Sequence, residues 1–230
     1  MSLTHPSRFA LITACLFLTL HCNAQQEADV TLQFLSFPSI DPPTPVELAV
    51  GEGKTIKVEI PTTELSAPYK VKKQASWVVG ETTKGNDDKP AFTVFGQAPA
   101  LASTNQLILL IRKGKSNAEG FEVIPINTVK TEFSGGKFLF VNAAAVDIAG
   151  VIGTEKFVIK PGAHTIVHPK GDKENDTLCQ AELYFKKDNE ARPFFSTTWP
   201  LSDAARAVIF FYHDPETKRL RLHSIRDFPQ

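Results

Sequence analysis

The sequence predicts an all-β fold made of two tandem antiparallel β-sandwiches, each roughly a hundred residues long. Three observations predict it. Apolar residues recur at every second position, turn-forming residues separate the short apolar runs, and the second half repeats the first in order and spacing.

Taken along the chain, Ile56, Val58 and Ile60 alternate with Lys57 and Glu59. Cys179, Ala181, Leu183 and Phe185 alternate with Gln180, Glu182, Tyr184 and Lys186, and Leu220 and Leu222 with Arg219 and Arg221. Successive side chains of a strand point to opposite faces, so strict alternation marks strands with one buried and one wet face. Gly51-Glu52-Gly53, Pro161-Gly162 and Asp214-Pro215 supply the fixed or positive φ that tight turns need. Helical pattern is confined to a turn at Ser202-Asp203-Ala204-Ala205-Arg206, capped by Ser202 or Asp203, with Leu101 to Gln106 in the matching place of the first half.

The repeat is read residue by residue. Leu32-Gln33-Phe34-Leu35 matches Phe138-Leu139-Phe140-Val141, and Leu107-Ile108-Leu109-Leu110-Ile111 matches Val208-Ile209-Phe210-Phe211-Tyr212. Pro99 and Pro200 each stand eight residues before those later runs. Phe121, Val123 and Ile126 line up with Leu220, Leu222 and Ile225, and Pro90 and Phe92 with Pro193 and Phe195. Copy one is residues 27–130, copy two is residues 137–230, and Thr131 to Gly136 is the joint. Two copies are too few for a solenoid, so each is expected to fold as its own small domain.

Residues 1–24 stand apart from this pattern. Arg8 gives a basic start, Phe9 to Leu20 an apolar run of 12, and Cys22 and Ala24 the small-x-small spacing that a signal peptidase reads. This is a secretory signal peptide cut after Ala24, with too few apolar residues to span a bilayer. Lipid attachment at Cys15 or Cys22 is the lesser alternative, since Cys15 lies inside the apolar run and His21 precedes Cys22. The expected mature chain keeps one cysteine, Cys179, and no transmembrane segment. It forms no internal disulfide and is held by its apolar cores. Lys plus Arg and Asp plus Glu balance at 25 each, which points away from nucleic acid and from anionic membrane surfaces.

The segment Val158-Ile159-Lys160-Pro161-Gly162-Ala163-His164-Thr165-Ile166-Val167 resembles the strand, Pro-Gly turn, strand signature of PEGA-type and transthyretin-like modules of exported bacterial proteins. The resemblance implies an immunoglobulin-like sandwich with an envelope or surface role and no enzymatic activity. It covers ten residues of copy two; copy one has Ile60-Pro61-Thr62 at its own turn, without the glycine.

Candidate chemistry is sparse. His164 and His168 share a strand face but lie about 13 Å apart at strand rise, too far to share one metal. His213 and His223 flank the last hairpin without a carboxylate or thiolate at ligand spacing. Asp172-Lys173-Glu174-Asn175-Asp176 lacks the glycine and closing glutamate of a calcium loop, and it and Asn86-Asp87-Asp88 read as solvated turns. Asn175-Asp176-Thr177 is a glycosylation sequon. Cys179 falls on the apolar face of its strand and reads as a buried, inert thiol. Nucleophile elbows, phosphate loops and zinc motifs are absent from the sequence, so no catalytic, cofactor or metal residue is assigned.

The suggestive feature is the aromatic cluster of Phe194, Phe195 and Trp199 with Tyr184 and Phe185. Exposed, Trp199, Phe194 and Tyr184 would stack on sugars or on a partner's apolar surface; buried, they are the core of copy two, and the match of Phe195 with Phe92 favours burial. The expected function is that of an exported, non-enzymatic protein of the periplasm, envelope or extracellular space. It binds a macromolecule, protein or polysaccharide, or serves as a structural component. An accessory carbohydrate-binding protein is the alternative, and a hydrolase with a site between the two domains the lesser one.

Overall fold

The computed structural model describes residues 29–39, 45–84, 89–129, 131–171, 177–188, 190–214 and 217–228. The signal peptide at 1–24, the acidic turns at 86–88 and 172–176, and Pro215 lie outside the described residues. In copy one the strands are β1 (Asp29–Phe37), β2 (Val46–Ala49), β3 (Thr55–Val58), β4 (Tyr69–Lys72), β5 (Ser76–Lys84), β6 (Pro90–Pro99), β7 (Asn105–Arg112) and β8 (Phe121–Asn127). In copy two they are β9 (Phe138–Asn142), β10 (Ile148–Ile152), β11 (Glu155–Ile159), β12 (His164–Val167), β13 (Leu178–Lys187), β14 (Glu190–Pro200), β15 (Arg206–His213) and β16 (Leu220–Asp227).

Each copy is a sandwich of two four-stranded sheets, ordered β4-β1-β7-β8 and β3-β2-β5-β6 in the first, β12-β9-β15-β16 and β11-β10-β13-β14 in the second. The strand orders are identical once eight is added to each label. All pairings are antiparallel except β1 with β7 and β9 with β15, which run parallel at the centre of equivalent sheets. The registers agree with the repeat as well. Phe34 faces Ile108 as Phe140 faces Ile209, and Leu110 faces Val123 as Phe211 faces Leu222.

One part of the sequence match is corrected. Both β5–β6 and β13–β14 carry a bulge, and the unpaired bulge residue is Phe95 in the first and Phe194 in the second. Phe92 faces Thr82, away from the bulge, so it is not the counterpart of Phe195, which follows the bulge where copy one has Gly96. The bulge lies at Phe95, before Pro99, in one copy and two residues farther from the matching Pro200 in the other, an offset that counting along the sequence does not see.

The four sheets stack in layers with three cores between them. The first core lies within copy one and holds Val30, Leu32, Phe34, Ile108, Leu110, Leu48, Trp77 and Val79. The third lies within copy two and holds Phe138, Phe140, Ile209, Phe211, Cys179, Ala181 and Leu183. The second lies between the copies: Leu35, Phe37, Leu107, Leu109 and Ile111 meet Leu139, Val141, Val208, Phe210 and Ile225. Alternate residues of β7 therefore enter different cores, 107, 109 and 111 one, 108 and 110 the other. β1, β7, β9 and β15 each contribute to two cores. Their near-continuous apolar runs belong to strands covered on both faces.

The joint is part of this shared core. Phe133 is fully buried in it, with the Arg206 guanidinium 4.7 Å from its ring centroid and Arg206 Nη1 donating to its carbonyl at 2.8 Å. Arg206 also donates to Asp227 at 2.6 Å, so the buried cation is paired. Gly135 passes so close to the chain that a Cβ there would sit 1.8 Å from the Asp203 carbonyl oxygen, a gap only glycine fits.

The helical expectations are also corrected. Residues 202–206 form a turn in which the Ala204 and Ala205 amides donate to Ser202, and Gln106 already belongs to β7. Among the described residues, helix is limited to one 3-10 turn, Asn117–Glu119. Pro161-Gly162 does form a turn, but it carries the chain from β11 in the outer sheet to β12 in the inner one. No helix among the described residues is long and apolar enough to cross a membrane.

Candidate functional site

Two copies of one fold invite a search for the place where they differ. That place is the seam where the β5–β6 (or β13–β14) hairpin meets the β7–β8 (or β15–β16) hairpin. In copy one the strands of the seam meet closely. Gly96 brings β6 so near β8 that a Cβ would lie 2.8 Å from both the Phe121 carbonyl oxygen and the Val123 side chain. Phe121 and Phe95 are buried there. Arg112 covers Phe121, its guanidinium 5.1 Å from the ring centroid, and donates to the Pro38 carbonyl at 3.2 Å, to Ser36 Oγ at 3.1 Å and to Asn117 Oδ1. What remains is a shallow groove of about 600 Å³ along the strand edges, lined by Val94–Gln97, Lys113 and Phe121–Val123.

In copy two the bulge keeps a phenylalanine, Phe194 for Phe95, but the residues around it differ. Counted from the bulge, Phe195 stands where copy one has Gly96, and the close approach of β6 to β8 is not repeated between β14 and β16. His213 stands in the place of Arg112 and is exposed, and Leu220 stands in the place of Phe121 and is half-buried. The result is a depression of about 550 Å³. Val146, Phe185, Phe194 and Leu220 make its apolar floor, and Lys187, Arg192, His213, Lys218 and Arg219 its rim.

Local structure fixes the floor. The bulge turns Phe194 inward, where its ring meets Phe185 and Phe211 edge-on at 6.1 Å each. Asn142 is fully buried; its Nδ2 donates to the carbonyls of Val146 (2.8 Å) and Ile159 (2.9 Å), and its Oδ1 accepts from the Ala144 amide (3.0 Å). That ties down the corner carrying Val146. Among the described residues, four permanent cations and no carboxylate line the depression. Arg192 reaches Glu190 at 3.6 Å and Asp188 at 3.9 Å, loose and exposed contacts of little energetic weight.

Of the three aromatics singled out from the sequence, only Phe194 lies in the depression. Trp199 is half-buried at the far end of β14, packed on Phe138 (5.5 Å), Phe195 (5.9 Å) and Phe140 (6.2 Å) and facing Cys179 across the strands. Tyr184 is on the outer face of β13. Its hydroxyl donates to Glu182 at 2.7 Å, and that bond to a carboxylate raises its pKa above the ordinary tyrosine value. The three rings share no surface. Cys179 is wholly buried in the third core. Among the described residues, no group of three or more His, Cys, Asp or Glu side chains is placed to hold a metal. The face between the copies, the expected place for a hydrolytic cleft, is filled by the apolar side chains of the shared core.

Sequence reasoning missed the basic rim. A signal exists in Lys186-Lys187 with Arg192, and in Lys218-Arg219 with Arg221, which flank the two hairpin turns. Only the sheet stacking brings the two turns side by side. No family model matches the chain, and no characterised protein matches it by sequence.

Proposed function

We propose that this chain is an exported, non-enzymatic binding protein of the cell envelope or extracellular space, and that the open end of its second copy is where its partner docks. The observation that carries this reading is the divergence of the two copies at one place: a seam that Gly96, Phe121 and Arg112 reduce to a shallow groove in copy one is a more enclosed hollow in copy two, with an apolar floor and a cationic rim. The rest of the molecule is a stack of four sheets with paired buried polar groups, a rigid support for such a site. The secretory pattern of residues 1–24 and the likeness of Val158–Val167 to exported bacterial modules support the location.

The test is an affinity capture with the mature chain from the secreted and envelope fractions of its source. The wild type is compared with Arg192→Glu/Arg219→Glu, both rim positions being exposed. A partner retained by the wild type and lost by the variant is the expected result. Capture of the same proteins or glycans by both would place the binding surface elsewhere.

A further inference from the structure

We infer that the copy-two depression binds an organic anion with an apolar body, its carboxylate or phosphate head against Lys187, Arg192 and Arg219 and its body on Phe185, Phe194 and Leu220. This deepens the binding role proposed above and rests on it.

Three features specify that ligand. The first is charge: the described lining residues that are charged are all cations, and arginine forks match carboxylate and phosphate oxygens two at a time. Glu190 and Asp188 hold Arg192 at 3.6 and 3.9 Å from exposed positions, contacts that an incoming anion replaces at little cost. The second is the floor. Phe185, Phe194 and Leu220 are half-buried apolar groups held by the packing of the third core, with apolar surface left for a ligand to cover. A neutral sugar is better held by carboxylates or side-chain amides on its hydroxyls, and none is among the described lining residues. The third is shape. The space of about 550 Å³ is no larger than the groove of copy one, but it is more enclosed and has an apolar floor.

One chemistry has two sources, a free amphiphilic anion or the head of an anionic lipid within a membrane. Calorimetry on the mature chain with decanoate, decyl phosphate and decanol, each below its micelle concentration, tests the first. Co-sedimentation with phosphatidylcholine vesicles, with and without phosphatidylglycerol, tests the second. Binding of the two anions, with decanol weaker by about tenfold or more, is expected. Arg192→Glu/Arg219→Glu should lose at least about tenfold while keeping its unfolding midpoint, and Lys57→Glu/Lys70→Glu, in copy one, should lose nothing. Binding to phosphatidylglycerol vesicles alone, lost in the rim variant, would assign the lipid head as the source. The inference is overturned if decanol binds as well as decanoate, if rim reversal changes nothing, or if neither anion nor vesicle binds. Should every amphiphile fail while the affinity capture still depends on Arg192 and Arg219, the ligand class falls and the binding role stands.

Discussion

Replacing Phe133 by alanine removes the one ring that the joint contributes to the core between the copies. Twelve buried side chains make up that core. At about 1.5–3 kcal/mol for each apolar side chain taken out of water, their burial is worth roughly 18–36 kcal/mol as an upper bound. A domain of this size is stable by only about 5–15 kcal/mol in total. Neither copy can therefore keep its fold while exposing its half of the shared core, and the two should unfold as one unit. Phe133→Ala should cost about 3–5 kcal/mol, the range for an aromatic ring deleted from a packed interior. At an m-value of ~2 kcal/mol/M this moves the urea midpoint down by about 1.5–2.5 M. The chain has two tryptophans, Trp77 buried in the first core and Trp199 against the third, so each copy carries its own fluorescent reporter. Single-tryptophan forms, Trp77→Phe and Trp199→Phe, read the copies separately. Both reporters should show one midpoint, and Phe133→Ala should move both equally although it touches neither. Two separate midpoints in the parent chain, or a shift confined to one reporter, would refute the argument.

Three further outcomes follow from the packing. Counted from Pro99 and Pro200, the ends at which the bulges lie two residues out of step, Trp77 faces Ala98 in copy one and Cys179 faces Trp199 in copy two, a large-small exchange across the same strands. Trp77→Cys should lose about 3–5 kcal/mol, and adding Ala98→Trp should recover part of it, as read by thermal melts; no recovery would mean the pairs are not interchangeable. Cys179, wholly buried, should react slowly with a thiol reagent in the native chain and freely in urea, and rapid native labelling would show that the third core opens. His223 stacks on Phe37 at 5.4 Å beside the shared core, and burial lowers its pKa below the ordinary 6.5. The folded chain keeps this imidazole neutral while the unfolded chain takes up a proton below pH 6.5. Its contribution is thus complete above that pH and lost as the pH falls toward the folded pKa. Stability measured between about pH 7 and 5.5 should decline, and His223→Gln should flatten the decline.

The strands with one wet face were the easiest to read. In Cys179 to Lys186 and in Arg219 to Leu222, burial and exposure alternate as the apolar pattern does, because water on one face forces polar residues there. The doubly covered strands were legible as apolar runs but not as the meeting of two sandwiches. Leu107–Ile111 carries no mark that tells a neighbouring sheet of the same copy from one of the other copy. Phe133 shows the same limit, since a lone aromatic in a polar, glycine-ending stretch reads as a linker until the surface it fills is known.

The sequence by itself determined the all-β class, the two copies and most of their register, because side-chain alternation and repeat spacing are local and survive in one dimension. The tertiary structure alone decided which faces meet, where the bulges put Phe95 and Phe194, and that Lys187, Arg192 and Arg219, from two separate hairpins, flank one apolar hollow. The reason is physical. Burial of a second strand face, and the field of cations gathered from separate hairpins, are properties of surfaces brought together by stacking, and no local pattern encodes the partner surface.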